Sequence, residues 1–331
     1  MMRCYFDERQ RGHAPKVEFF NGALYPAAES QARVDAILSA IGPVEAPDDH
    51  GMEPLQRVHG ADYLAFLRTA YADWRAAGRE GDAFPYTFPV VGRRPLNLDR
   101  IDARLGQYAF DTSTPITERT WDAAYWGAQA ALSALESVLG GERAAFAFSR
   151  PPGHHAGRDY LGGYSYLNNA AIAAEAALAA GDRRIAILDV DYHHGNGTQD
   201  IVQGRDDIVF ASIHADPATD YPFFWGHADE SGGNILNLPL PRGTDWKAYQ
   251  SALAYALDWI EKGEPDLLIV SYGADTYVGD PISHFALHTD DYMRMARRIA
   301  SVGVPMLIVM EGGYAVDALG ANVAAFLGGF A

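Results

Sequence analysis

Five short apolar runs along the chain each give way at once to a polar, glycine-rich cluster. Residues 144–148 lead into Pro151-Pro152-Gly153-His154-His155-Ala156-Gly157, and residues 184–188 into Asp189-Val190-Asp191-Tyr192-His193-His194-Gly195-Asn196-Gly197. The run at 208–212 ends in Ser212-Ile213-His214, that at 266–271 in Gly273-Ala274-Asp275, and that at 306–310 in Glu311-Gly312-Gly313-Tyr314. With a sixth run at 3–6, these segments read as strands, and stretches with a helical apolar period at 62–77, 120–139, 169–180, 245–262 and 289–302 read as helices. Thr289 reads as an N-cap, and Gly181 and Gly303 as C-terminal stops. Alternating strands and helices imply parallel pairing with right-handed crossovers, so the expected fold is an open, mostly parallel α/β sheet with helices on both faces. The strand ends then share one edge, where such sheets place ligands.

Within the second cluster, period-two alternation puts Asp189, Asp191 and His193 on one side of the extended chain and Val190, Tyr192 and His194 on the other. Asp191 and His193 can converge on one ion, and Asp275 from another strand end supplies a third ligand, leaving a position open as catalytic sites require. A nitrogen and carboxylate set without thiolate suits zinc, and also Fe(II), Co(II) or Mn(II). Any one of these residues alone would read as a loop hydrogen-bonder or helix cap. Five of the eleven histidines (His154, His155, His193, His194 and His214) cluster at strand ends, which scattered core histidines would not do.

The pair His154-His155 is assigned to acid–base work, because three protein groups already serve the metal. Asp189 is the natural partner for one ring and Asn196 for the other; a carboxylate favours imidazolium, whereas a neutral amide leaves its ring free to exchange protons. Tyr314, after two glycines, is placed to donate to a developing oxyanion. Asn234 and Asn237 read as structural.

A formal charge of −17 disfavours nucleic acid and favours a small cationic partner. Cys4 is the only cysteine, so no intrachain disulfide is available. No apolar run approaches the ~20 residues of a membrane span, and the N-terminus lacks the apolar core of a signal peptide, so a cytoplasmic protein is expected. No zincin motif, nucleophile elbow, P-loop or dinucleotide fingerprint is present. No linker or repeat divides the 331 residues, so one domain is expected. Two aperiodic segments, 13–29 and the insertion 78–118, are expected to form a rim around the site or a subunit contact.

The stretches RPPGHHAG (150–157), GGYSYLNNAAIA (162–173), ILDVDYHHGNGTQDI (187–201), VFASIHADP (209–217), VSYGADTYVGDP (270–281) and VMEGGYAV (309–316) closely resemble the histone deacetylase superfamily, in order and spacing from end to end. The Phe20-Asn21-Gly22-Ala23-Leu24 run, Phe88-Pro89-Val90 and residues 106–121 resemble its bacterial acetylpolyamine amidohydrolase branch. The resemblance implies an arginase-like α/β fold and hydrolysis of an N-acetyl amide to acetate and a free amine. It implies zinc on Asp191, His193 and Asp275, with ferrous iron as an alternative. It makes His154 the cationic histidine beside Asp189, His155 the general base and then acid, and Tyr314 the group that polarises the carbonyl. It further implies that Gly163 receives the substrate amide and that Tyr164 and Phe224 wall an aromatic tunnel. A potassium ion is implied near Asp189, Asp191, His193 and Ser212, as is a homodimer. Two departures stand out: Asn196 replaces the Asp of many members, and the branch's acidic pair in the insertion appears as Asp102 and Ser113. One carboxylate is therefore missing, which leaves acetylated diamines, other small acetylated amines and protein acetyl-lysine open as substrates. A ureohydrolase would need a bridged metal pair, and a catalytically dead sensor would not need the full set of site residues.

Overall fold

The computed structural model describes residues 2–90, 98–181 and 183–330; positions 91–97 of the predicted insertion lie outside the described residues. The strands are β1 (Arg3–Tyr5), β2 (Val17–Phe20), β3 (Ala23–Pro26), β4 (Ala144–Ala147), β5 (Ile185–Asp189), β6 (Ile208–Ala215), β7 (Ile235–Leu240), β8 (Leu267–Tyr272) and β9 (Met306–Met310). The helices are α1 (Ala32–Ile41), α2 (Glu53–Val58), α3 (Ala61–Ala76), α4 (Ile101–Gln107), α5 (Thr120–Leu139), α6 (Asn169–Ala179), α7 (Asn196–Val202), α8 (Trp246–Lys262), α9 (Thr289–Ala300) and α10 (Val316–Gly328). Seven strands pair in parallel in the order β1-β4-β9-β8-β5-β6-β7.

Both faces of this sheet are buried, and the side chains alternate between them as the pleat requires. Ala186, Leu188, Val270, Ile308 and Met310 face a core built with Tyr249 and Leu253 of α8, Met295 of α9 and Phe326 of α10. Ile185, Ile187, Ile269, Leu307 and Val309 face the alanine-rich sides of α5 and α6. Alanine spacing on those two helices lets them approach the sheet closely, and removing a fully buried strand side chain such as Ile187 there would leave a cavity.

Several elements correct the sequence reading. The strand predicted at 208–212 runs on to Ala215, so His214 lies within β6 rather than after it. β7 was not expected; its Asn237 and Pro239 interrupt the apolar pattern. The insertion contains α4, too short to show a period. Segment 13–29 holds the antiparallel hairpin β2–β3, turned by Asn21 and Gly22 at φ of 50° and 80°, the left-handed pair that a tight two-residue turn needs. The N-cap of α9 is His288 in a reciprocal box with Asp291, not Thr289, whose hydroxyl donates to Asn322 Oδ1 at 2.7 Å.

Candidate active site

The order of strands places the ends of β4, β9, β8 and β5 side by side at the centre of the sheet, and each delivers one part of the site. From β5, the alternation carries past the strand end: Asp189, Asp191 and His193 stay on one side while Val190 and Tyr192 enter the core. One ligand atom each from Asp191, His193 and Asp275 lie within 4.8 Å of one another. His193 Nδ1 is 3.0 Å from Asp275 Oδ2 and 3.4 Å from Asp191 Oδ1. The other carboxylate oxygens are held by backbone: Gly312 N–H donates to Asp191 Oδ2 (2.9 Å) and Tyr192 N–H to Asp275 Oδ1 (2.9 Å). A side chain on Gly273 would overlap the Asp191 carboxylate, so only glycine admits this approach.

The chemistry of this donor set fits a divalent cation. Burial, then the neighbouring Asp191, pushes the Asp275 carboxyl up to about 7, so two carboxylates converge where water cannot screen them. Burial opposes charge on His193 too, yet the same two carboxylates push its ring up to about 10. A bound cation resolves both conflicts, with the imidazole neutral and both carboxylates ionised.

Beside this triad, the turn after β4 holds the two adjacent imidazoles with ring centroids 4.0 Å apart. His154 Nδ1 is 3.0 Å from Asp189 Oδ2, and His155 Nδ1 is 2.7 Å from Asn196 Oδ1. Burial works against a charge on His154, but Asp189 and Asp191 push it up to about 10. Burial and the charges of His154 and His193 hold His155 well below the usual 6.5. Adjacent residues thus take opposite protonation states. Glu311, pushed up to about 7 by burial, accepts the N–H of Gly153 (2.7 Å) and of His154 (3.2 Å) and so fixes the turn.

Tyr314 follows β9, held by its own N–H donating to Asp280 Oδ2 (2.7 Å), and its ring packs edge-on against Tyr164 at 5.6 Å. Arg33 of α1 reaches the same loop, donating from Nε to Gly313 O (2.7 Å) and from Nη2 to Glu311 O (2.6 Å). Gly163 (φ +53°) and Tyr164 (φ +61°) both lie in the left-handed region, and a side chain on Gly163 would run into the His155 ring. Ser212, opposite Asp189 in the sheet register, places its Oγ 2.8 Å from His214 Nδ1. His194 and His214 turn away from the triad: His194 Nε2 is 3.1 Å from Asn237 Oδ1, and His214 Nε2 donates to Gly226 O (2.8 Å). Asn234 ties the carbonyls of Val202 and Ile208 together.

Two assignments are corrected. Phe224 is 86% exposed; the aromatic ring against the imidazoles is Tyr221, edge-on to His155 at 5.1 Å and to His193 at 6.0 Å. Asp102 of α4 is committed to the guanidiniums of Arg79 (2.8 Å) and Arg100 (2.6 Å) and, among the described residues, makes no hydrogen bond to a site residue. A carboxylate does stand beside Ser113, supplied by Asp111, whose Oδ2 accepts from Gly163 N–H at 2.7 Å. Tyr221, Asp111, Arg33 and Glu311 were missed; only Glu311, inside a strand-end cluster, carried a positional signal.

The histone deacetylase domain pattern matches residues 27–330. The chain belongs to the histone deacetylase family. It is 50% identical to acetylpolyamine amidohydrolase 1 of Pseudomonas aeruginosa over 100% of this chain and 99% of that protein. It is 44% identical to the acetylpolyamine amidohydrolase of Mycoplana ramosa, with both chains covered completely. The crystal structure of acetylpolyamine aminohydrolase from Burkholderia pseudomallei superimposes with a TM-score of 0.95 at 40% identity, covering 100% of this chain and 98% of that one. Within the family, the chain falls in this bacterial branch, and it is a hydrolase of the deacetylase class.

Proposed function

We propose that this deacetylase is zinc-dependent and acts on small N-acetylated amines, acetylpolyamines and acetylated diamines first, releasing acetate and the free amine. The observation that carries the reading is the meeting of the Asp191, His193 and Asp275 ligand atoms with two imidazoles of opposite protonation state, in a chain like the acetylpolyamine amidohydrolases along its whole length. A zinc ion held by the three ligands would polarise the acetyl carbonyl and lower the pKa of water, with ferrous iron an alternative on the same donors.

The chain's own groups do the rest. Neutral His155, oriented through Nδ1 by Asn196, takes a proton at Nε2 from the attacking water as the C–O bond forms and returns it to the amine nitrogen as the C–N bond breaks. His154, kept cationic by Asp189, stabilises negative charge beside it. The Tyr314 hydroxyl donates to the oxygen on which charge develops. The Gly163 carbonyl accepts the substrate N–H, and Tyr164 and Tyr221 flank an apolar methylene chain. A potassium ion near Asp189, Asp191, His193 and Ser212 would support this platform; the side-by-side burial of Asp189 and Ser212 favours it.

We further propose one catalytic domain, residence in the cytoplasm and a homodimer. No helix among the described residues is long and apolar enough to cross a membrane. The hairpin exposes Phe19, Phe20, Leu24 and Tyr25 and the insertion exposes Tyr86, Phe88 and Val90, apolar side chains that a second copy would cover.

The test is a panel of acetylated diamines, acetylated polyamines and acetyl-lysine peptides, assayed with zinc and with ferrous iron. Acetylputrescine should be turned over faster than any peptide; the reverse order would make the chain a protein deacetylase. Tyr314→Phe should retain metal and lose turnover by about 10²- to 10³-fold, the usual loss for a single oxyanion donor. Equal activity would remove Tyr314 from the mechanism.

A further inference from the structure

The insertion does more than rim the site. Its stretch after α4 lies beside the turn that carries Gly163: Leu161 N–H donates to Tyr108 O (2.7 Å) and Phe110 N–H to Leu161 O (3.1 Å). The Phe110 ring stacks on Tyr221 at 5.9 Å and fills the space that a side chain on Gly162 would need. At the centre of this contact is Asp111. Its Oδ2 accepts from Gly163 N–H (2.7 Å), the Tyr221 hydroxyl (2.9 Å), the Ser113 hydroxyl (3.1 Å) and the Thr114 hydroxyl (3.2 Å). Thr114 Oγ1 in turn accepts from Tyr164 N–H at 3.0 Å. One carboxylate therefore holds both peptide N–H groups that flank the Gly163 carbonyl, together with the ring that stands edge-on to His155.

We propose that Asp111 is a positioning residue for the deacetylation, one that fixes where the substrate amide sits relative to His155. The inference rests on the deacetylase reading above. The Gly163 carbonyl shares its rigid plane with Tyr164 N–H, so pinning that N–H through Thr114 aims the carbonyl. Reciprocal backbone bonds between Gly162 and Ser165 (3.2 and 2.8 Å) close this two-residue turn. The ties from Asp111 and Thr114 brace it from outside, where Tyr164 sits at a positive φ that is costly for a residue with a side chain. The same carboxylate sets the distance between the Tyr221 wall and the imidazoles. With four donors on one oxygen, Asp111 is engaged by the chain itself, and its role is to shape the seat of the amide rather than to receive a distal ammonium.

The test uses zinc-loaded full-length protein and the variants Asp111→Ala, Asp111→Asn, Tyr221→Phe and Asp111→Ala/Tyr221→Phe, assayed on acetylputrescine. Asp111→Ala should lower kcat/KM by about 100-fold, the scale expected when a reacting group is misplaced by about 1 Å, with zinc content unchanged. Asp111→Asn, whose amide oxygen still accepts from Gly163 N–H, should recover at least about tenfold of that loss. Tyr221→Phe should cost activity alone and add less than about twofold in the Asp111→Ala background, because the two groups act as a unit. Deuterium uptake of the 160–166 segment should be faster in Asp111→Ala than in the parent. Unchanged uptake overturns the clamp; faster uptake with unchanged kcat/KM overturns the positioning role; losses that add fully in the double variant overturn the coupling. If the parent turns over no acetylated amine, the functional reading fails, and uptake still decides whether Asp111 holds the segment.

Discussion

His154 and His155 share a turn and differ in one partner, and that partner sets the charge of each. Both rings are fully buried, which by itself favours the neutral form, so the carboxylate of Asp189 is needed to keep His154 cationic and the neutral oxygen of Asn196 leaves His155 below its ordinary value. Replacing Asn196 with Asp would place an anion where the Oδ1 now sits 2.7 Å from His155 Nδ1. The protonated ring gains a partner, its pKa rises, and a larger share of the base is lost at any given pH. The acid limb of the kcat/KM profile should therefore move to higher pH in Asn196→Asp, with metal content equal to that of the parent. A limb that stays in place or moves down would show that some other group governs it. The choice of partner for each imidazole was legible in the sequence: strand alternation puts Asp189 on the same side as Asp191, and Asn196 lies in the same polar cluster after β5, where it opens α7. Tyr221 and Asp111 were not legible, since a tyrosine before a proline and an aspartate in an aperiodic insertion carry no period to place them. Phe224 showed the same composition signal as Tyr221 and faces solvent.

At the level of elements, the site depends on loops that helices outside the sheet hold in place. Arg33 of α1 spans from Glu29 (Nη1 to Oε1, 2.7 Å) to two carbonyls of the loop that ends in Tyr314, and it is wholly buried. Arg150 pairs with both oxygens of Glu29, Nε donating to Oε1 and Nη2 to Oε2, each at 2.8 Å, so the two arginines share Oε1. Burial would raise the Glu29 carboxyl, but these two guanidiniums keep it below its usual range, so the cluster is charged. Arg33→Met would leave one guanidinium against the carboxylate and two loop carbonyls unpaired. Leaving a buried acceptor unpaired costs about 1–3 kcal/mol each, which urea denaturation should register together with a fall in turnover. A loss below about 1 kcal/mol would mean that the loop is held by its own strand end instead. None of this was readable beforehand, because α1 is a ten-residue helix whose arginine looks like any surface residue. The sheet itself was readable: six of its seven strands announced themselves as apolar runs, and the polar clusters after five of them marked the shared edge. β7 escaped because an edge strand tolerates the asparagine and proline that break the pattern.

For the whole molecule, acidification acts in two opposed ways. Lowering the pH from neutral discharges a chain of net charge −17 and relieves its self-repulsion. It also favours the unfolded state wherever an imidazole is buried neutral, as burial makes His59 and His214, both pushed down to about 4, and His13, pushed down to about 3. The sum is not readable from either part, so the sign must be isolated at one residue. His59 is suited to this: its Nδ1 donates to Gly157 O (2.9 Å) and its Nε2 accepts from Asn168 N–H (3.0 Å), a donor and acceptor pair that a glutamine amide can reproduce. The unfolded histidine binds a proton below 6.5, and the folded one only near 4. Between these values the parent loses stability relative to His59→Gln by up to about 1.4 kcal/mol per pH unit. At neutral pH the variant should be the less stable of the two, and the gap in denaturation free energy should narrow steadily as the pH is lowered from 6.5 toward 4. A gap that stays constant over that range would mean that the folded imidazole titrates like the unfolded one, and that the contact between α2, the turn after β4 and α6 opens without global unfolding.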